Sequence, residues 1–156
     1  MHKGFHKVFL IFYLFIQLGF AIDCQELAKR LERTKTFNIY EELLYQSEEL
    51  LKDCRSSTNH SIALNYLLSA LETVYQEKVD VDKNLIKNLL DRRMRTALIT
   101  LRKTSKYRKR HPLLYSYQSL FYVVALENRR VKDYDYALKY AQASIYIGKA
   151  ILQLRE

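Results

Sequence analysis

The sequence predicts an all-α protein with about five to six antiparallel helices, arranged as stacked helix pairs or as a helical bundle. Three observations predict this fold class. After residue 21 the chain contains one proline, Pro112, and one glycine, Gly148, so little interrupts a helix. Most segments carry apolar residues at the 3.6-residue period of an amphipathic helix. No stretch alternates apolar and polar residues for long enough to predict a strand.

Six helices follow from this periodicity and from the polar segments that interrupt it. The expected helices span residues 25–34, 38–54, 60–77, 82–107, 113–129 and 134–154. Thr36 or Asn38 is the expected cap of the second helix, and the polar segment RSSTNHS offers several caps for the third. The later start signals are Asp80 and Asp82 before the fourth helix, Pro112 at the fifth, and Asp133 and Asp135 at the sixth.

The apolar faces predict which helices lie innermost. Residues 113–129 are apolar nearly all round the helix, which predicts that the fifth helix is the central, buried one. The sixth helix carries small residues on one face, and small residues let another helix approach closely. These residues are Ala137, Ala141, Ser144 and Gly148.

The segment KDYDYALKYAQASI places an aromatic residue and a small residue, Tyr134 and Ala137, three apart, and Ala125 precedes Ala137 by twelve residues. This pattern resembles a tetratricopeptide repeat, whose second helix runs near Gly-Asp-Tyr-x-x-Ala-x-x-x-Phe-x-x-Ala. The resemblance is strongest in residues 117–148 and implies a stack of antiparallel helix pairs that bind other proteins. The departures are Asn128 for Tyr, Ala141 for Phe, Ser144 for Ala, and the lack of a closing proline. A generic helical bundle is the alternative.

Residues 1–21 have the order of a secretory signal peptide. Lys3 and Lys7 form a positive region, residues 8–16 are an unbroken apolar run, and Gly19 and Ala21 fit a cleavage site after Ala21. The rest, residues 22–156, is long enough for a single helical domain. Without the two lysines its net charge is +7, from 24 basic and 17 acidic residues. An uncleaved membrane anchor is the alternative, although the apolar segment is short.

The two cysteines, Cys24 and Cys54, suggest one disulfide in an exported chain. Two alternatives stand beside it: both thiols unpaired, or a lipoprotein acylated at Cys24, which would leave Cys54 free. The triplet NHS at residues 59–61 is an N-glycosylation sequon, which has meaning only in a eukaryotic secretory pathway.

The sequence predicts no enzyme, no cofactor and no metal site. After residue 21 the only histidines are His60 and His111, and no Cys or His pair has metal-ligand spacing. Neither a nucleophile elbow, nor a phosphate-binding glycine loop, nor an H-E-x-x-H motif is present. Four glutamates form an acidic face on the second helix, and charges on such a face are usually solvated. They are Glu41, Glu42, Glu48 and Glu49.

Positive charge is concentrated between residues 92 and 110, which hold nine basic residues and no acid. On the fourth helix five of them fall within a 100° arc opposite the apolar stripe, and three more continue the charge into the following loop. The candidate partner-binding residues are Arg92, Arg95, Arg102, Lys103, Lys106, Arg108, Lys109 and Arg110. Tyr107, Tyr115 and Tyr117 are close by in the sequence.

Several partners fit such a face. An acidic protein fits, and so does peripheral contact with an anionic membrane surface, because the apolar side of the helix is needed for the core. An export signal argues against nucleic acid. The segment RKR at residues 108–110 also resembles a dibasic processing site, and a purely solvated face is the remaining alternative.

Together these features predict an exported, non-enzymatic adaptor or scaffold protein. We expect it to be periplasmic or envelope-associated and to contact an acidic partner or surface through its basic fourth helix. The alternative is a secreted helical ligand or effector of cytokine-like size, with a Cys24–Cys54 bridge and a glycan on Asn59.

Overall fold

The computed structural model describes residues 23–76 and 82–155, which contain six α-helices and no strand. This confirms the all-α prediction. The predicted signal peptide, residues 1–21, lies outside the described residues, as does Asp80. The helices are α1 Cys24–Lys35, α2 Glu41–Lys52, α3 Thr58–Tyr75, α4 Lys83–Thr104, α5 Pro112–Arg130 and α6 Tyr134–Gln153, with a short 3-10 helix, Ser105–Tyr107, after α4.

Most helices begin where the sequence places a polar cap. Asp23, Ser57, Asp82 and Asp133 each accept a hydrogen bond from a backbone N–H in the first turn of α1, α3, α4 and α6, respectively. Pro112 occupies the first turn of α5, where its missing N–H costs no helical hydrogen bond. The boundaries of these helices therefore follow from local chemistry.

The start of α2 differs from the prediction. Its N-cap is Tyr40, in the left-handed region at φ 52°, and no side chain caps the helix. The expected caps serve other positions, since Thr36 ends α1 and Asn38 also has a positive φ of 53°. Tertiary contacts hold Tyr40 there, because its ring meets Phe121 edge-on and its hydroxyl lies 2.6 Å from that of Tyr140.

The central helix is α6, and the prediction that the fifth helix is central was wrong. Helix α6 packs against α3, α4 and α5, and its small residues Ala137, Ala141, Ser144 and Gly148 are all buried. Small side chains let three neighbours approach one helix at once. Helix α5 buries only one stripe, Leu114, Gln118, Phe121 and Ala125. Leu120 and Val123 on its outer side are 46% and 53% exposed.

The first three helices form a second packing group. Helices α1 and α2 pack against each other and against α3, which in turn packs against α6. Arg30 on α1 reaches across to α3, where its guanidinium binds the Glu72 carboxylate and donates to Ser69. One continuous core therefore runs from the N-terminal helices through α3 to α6.

None of the helices in the described residues is long and apolar enough to span a membrane.

Candidate interaction surface

All eight candidate basic residues are exposed. Five of them, here called the basic stripe, follow one side of α4 and the 3-10 helix over about 21 Å, at 1.5 Å of rise per residue. The basic stripe consists of Arg92, Arg95, Arg102, Lys103 and Lys106. The other three, here called the basic loop, connect the 3-10 helix to α5. The basic loop consists of Arg108, Lys109 and Arg110.

The positive charge of the stripe is not neutralised within the described part of the chain. None of its five residues forms an ion pair with a described carboxylate. The nearest acid in the sequence, Asp91, is directed to α5, where it lies 3.7 Å from the Arg129 guanidinium. The basic stripe therefore presents several cationic groups to solvent, and Arg side chains among them can bind carboxylates in a bidentate manner.

The basic loop is partly structural. Arg110 donates a hydrogen bond of 2.7 Å from Nη1 to the carbonyl of Arg155, and His111 donates one of 2.8 Å from Nε2 to the carbonyl of Leu154. Both acceptors lie at the end of α6, where helix carbonyls lack internal partners and favour positive charge. Arg110 thus fastens the loop to the central helix, whereas Arg108 and Lys109 have no such bond to described residues.

Two of the three tyrosines near the basic segment have partners of their own. Lys106 lies over the Tyr107 ring, 5.3 Å from its centroid, in a cation–π contact. Tyr117 belongs instead to an aromatic cluster with Tyr40 and Phe121, and its hydroxyl donates a 2.7 Å hydrogen bond to Glu42. Burial, with the Glu42 carboxylate beside it, raises the pKa of Tyr117 to about 12.

The aromatic cluster joins three helices and was not predicted from the sequence. It extends from Tyr40 and Phe121 to Tyr140 and Tyr136 on α6. Burial is the main cause that raises the pKa of Tyr140 above its usual value, and the hydroxyl of Tyr40 adds to it. The sequence holds 13 tyrosines, and that abundance is the one signal that could have suggested a tyrosine cluster.

The predicted disulfide is confirmed. Cys24 and Cys54 are bonded, with their Cα atoms 6.0 Å apart, and both side chains are buried. The bond joins the first residue of α1 to the turn after α2. Because it uses the sulfur of Cys24, it excludes acylation of that sulfur and is incompatible with the lipoprotein alternative.

The sequon lies in the first turn of α3. Asn59 is half-buried, and Ser61 is buried and donates its hydroxyl to the Thr58 carbonyl. In the folded chain the serine of the sequon is therefore engaged in the helix.

Three of the four acidic residues of α2 have partners within the described part of the chain. Glu48 lies 2.7 Å from Lys35, Glu49 lies 2.8 Å from Lys52, and Glu42 accepts from Tyr117. Nowhere in residues 23–76 and 82–155 are three His, Cys, Asp or Glu side chains grouped so that they could hold a metal ion.

A buried polar cluster between α4, α5 and α6 was also missed. Gln118 is fully buried, accepts a 2.8 Å hydrogen bond from Thr104 at Oε1, and accepts another of 2.8 Å from Ser144 at its backbone carbonyl. Its Nε2 has no hydrogen-bond partner among the described residues. The available signal was the one glutamine of the fifth helix, which lies among mostly apolar residues.

Comparison with known proteins returned no match to this chain among protein-family models, curated proteins or solved structures.

Proposed function

We propose that this chain is an exported, non-enzymatic adaptor that binds an acidic protein partner through its basic stripe. The observation that carries the proposal is the unneutralised stripe itself, since five cationic side chains follow one exposed helix side without a described carboxylate in ion-pair distance. Complementary charge accelerates association and selects partners. A helical scaffold that holds such a stripe rigid, in the manner of tetratricopeptide-like helix pairs, suits this role.

An acidic protein is favoured over an anionic membrane by the way α4 is used. The apolar stripe of α4, which includes Ile86, Leu90 and Met94, is buried in the core. Membrane-surface helices bind by burying such a continuous stripe in the lipid, whereas the exposed side of α4 would offer lipid mainly its charges. A protein partner can instead provide positioned carboxylates, to which arginines bind with defined geometry.

Export is supported by the disulfide and by the signal-peptide pattern. Disulfides persist in oxidising compartments outside the cytosol, and the Cys24–Cys54 bond is compatible with such a location. The same bond is the observation that favours the second candidate, a secreted helical ligand or effector stabilised by one disulfide.

Charge reversal tests the proposal. The triple variant Arg95→Glu, Arg102→Glu, Lys106→Glu removes the positive charge of the stripe, and all three side chains are exposed, so helicity by circular dichroism should not change. We expect recovery of the native partner from an extract of the source to be abolished. The matched control is Lys29→Glu, Arg55→Glu, Lys149→Glu, which makes the same change in net charge at exposed positions outside the stripe.

Recovery should also fall steeply as salt is raised, because exposed charges are screened. Equal partner recovery by the stripe variant and the wild type would contradict the proposal. Equal loss in both triple variants would show that only net charge matters, and would contradict it as well.

A further inference from the structure

The outer side of α4 carries a heptad-spaced row of exposed residues. Leu85, Arg92 and Ile99 are seven residues apart, and Asn88, Arg95 and Arg102 form a second row that is displaced by three residues. All six side chains are exposed, and Leu85 and Ile99 are 63% and 51% exposed. We call these six residues the exposed seam. Positions with this alternating spacing of three and four residues are the ones at which one helix packs along another in a coiled coil.

From this row we infer that the partner of the basic stripe is an acidic amphipathic helix that packs lengthwise along α4. The inference rests on the proposed function and specifies the partner's form. Carboxylates of that helix would face Arg92, Arg95 and Arg102, and two apolar side chains would cover Leu85 and Ile99.

The two apolar residues distinguish this arrangement from a general attraction between charges. Leu85 and Ile99 are fourteen residues apart on the same side of the helix, or about 21 Å along its axis. Exposed ion pairs contribute little to affinity, whereas an apolar side chain covered at an interface contributes much more. A partner that covers Ile99, which is surrounded by cationic residues, therefore gains both affinity and a fixed position along α4.

A second copy of the chain does not fit the exposed seam. In a parallel pairing in register, Arg92 and Arg95 would each face the same residue of the second copy. In an antiparallel pairing centred on the seam, Arg92 of one copy would face Arg95 of the other. Like charges at seam positions select against self-association and for a partner of opposite charge. The described acids of α2 do not supply that partner within the chain, because Glu48 and Glu49 pair with Lys35 and Lys52.

Two synthetic helical peptides of equal composition test the inference. Each is about 21 residues long, the length of six helical turns, and consists of Glu, Ala and two leucines. In the seam peptide the leucines lie fourteen residues apart on the face that carries the glutamates, so that they can meet Leu85 and Ile99. In the control peptide the same leucines are moved to the opposite face. Binding of each peptide to the disulfide-bonded chain is measured by fluorescence anisotropy at near-physiological salt.

We expect the seam peptide to bind about tenfold more tightly than the control peptide, as the covering of exposed apolar side chains predicts. Ile99→Ser should remove most of this preference without changing the salt dependence. Val123→Ser is the matched control, since Val123 is an apolar residue of similar exposure, 53%, on the outer side of α5. That variant should keep the full preference.

The remaining outcomes separate the two proposals. If both peptides bind equally, and Arg95→Glu with Arg102→Glu abolishes binding of both, the basic stripe attracts acids but does not dock a helix, and the inference fails alone. If neither peptide binds while phosphatidylglycerol vesicles do, the surface is directed to lipid, and the inference and the proposed function both fail.

Discussion

Gly148 illustrates how one residue determines the distance between three helices. A Cβ at this position would collide with Cγ2 of Thr100 on α4 and would lie 2.6 Å from Nε2 of Gln118 on α5. The absence of a side chain thus creates the space in which the buried Gln118 amide lies. Glycine is otherwise a poor helix residue, so packing is the reason for its presence in α6.

Gly148→Ala should destabilise the fold by about 1–3 kcal/mol, the usual range for overpacking a core, even though alanine favours the helix itself. The measurement is the free energy of unfolding in urea. Adding Thr100→Ser, which removes the colliding methyl group and keeps the hydroxyl that donates to the Thr96 carbonyl, should restore part of the loss. A variant Gly148→Ala that is as stable as the wild type would contradict the packing argument.

The conformation of Tyr40 is imposed by the residues around it, whereas Gly148 determines how closely its neighbours approach. A bulky residue with positive φ is disfavoured locally, and its conformation persists only when neighbouring contacts outweigh the strain. Those contacts come from Phe121 and Tyr140, which are 81 and 100 residues away in the sequence. The start of α2 was therefore mispredicted because the cause is not local.

At the scale of elements, the N-terminal hairpin depends on the disulfide more than the other helices do. Cys24 and Cys54 enclose α1 and α2, and the bond fixes the first residue of α1 beside the end of α2. The central helix α6, by contrast, is held by three neighbours and by no covalent link. Loss of the bond should therefore affect α1 and α2 first.

Replacing both cysteines, Cys24→Ser with Cys54→Ser, should lower the free energy of unfolding by roughly 3–4 kcal/mol, as the chain-entropy model gives for a loop of 30 residues. Urea unfolding of the double variant and of the wild type, each with and without reductant, checks this. The double variant should not respond to reductant. Amide exchange should increase most in α1 and α2, and uniform exchange across all six helices would contradict the element-level argument.

At the scale of the whole molecule, charge is divided along the chain. Residues 22–91 contain nine basic and thirteen acidic residues, whereas residues 92–110 contain nine basic residues and no acid. Most described acids of α1 and α2 form local pairs, while the basic stripe stays unpaired by described residues. The molecule is therefore asymmetric in charge, and this asymmetry gives a partner one preferred side to approach.

The proposed export makes a prediction about the intact native protein. The intact mass should correspond to a chain whose first residue is Ile22. It should be lower by about 2 Da before reduction than after it, because a disulfide lacks two thiol hydrogens. Mass spectrometry with and without reductant measures both features. A mass that corresponds to a chain starting at Cys24 with added acyl groups would contradict the disulfide. A mass that corresponds to a chain still containing residues 1–21 would contradict cleavage.

Several features of this protein are determined by the sequence alone. Helical periodicity, polar caps such as Asp82 and Asp133, and the single proline at Pro112 place five of the six helix starts, because each acts within one turn of the chain. The cysteine count suggests the disulfide, and the run of basic residues locates the candidate surface, since exposed charges need no tertiary partner.

Tertiary structure alone decided which helix is central and which candidate residues are engaged. The apolar residues of α5 run nearly all round the helix, which predicted a central position, yet α6 is central, because small residues admit three neighbours while larger ones do not. Arg110 lies in the basic segment, residues 92–110, and Tyr117 lies close to it in sequence, but contacts with Arg155 and Glu42 direct them elsewhere. Such choices depend on which distant elements meet, and a pattern read along one chain segment does not contain that information.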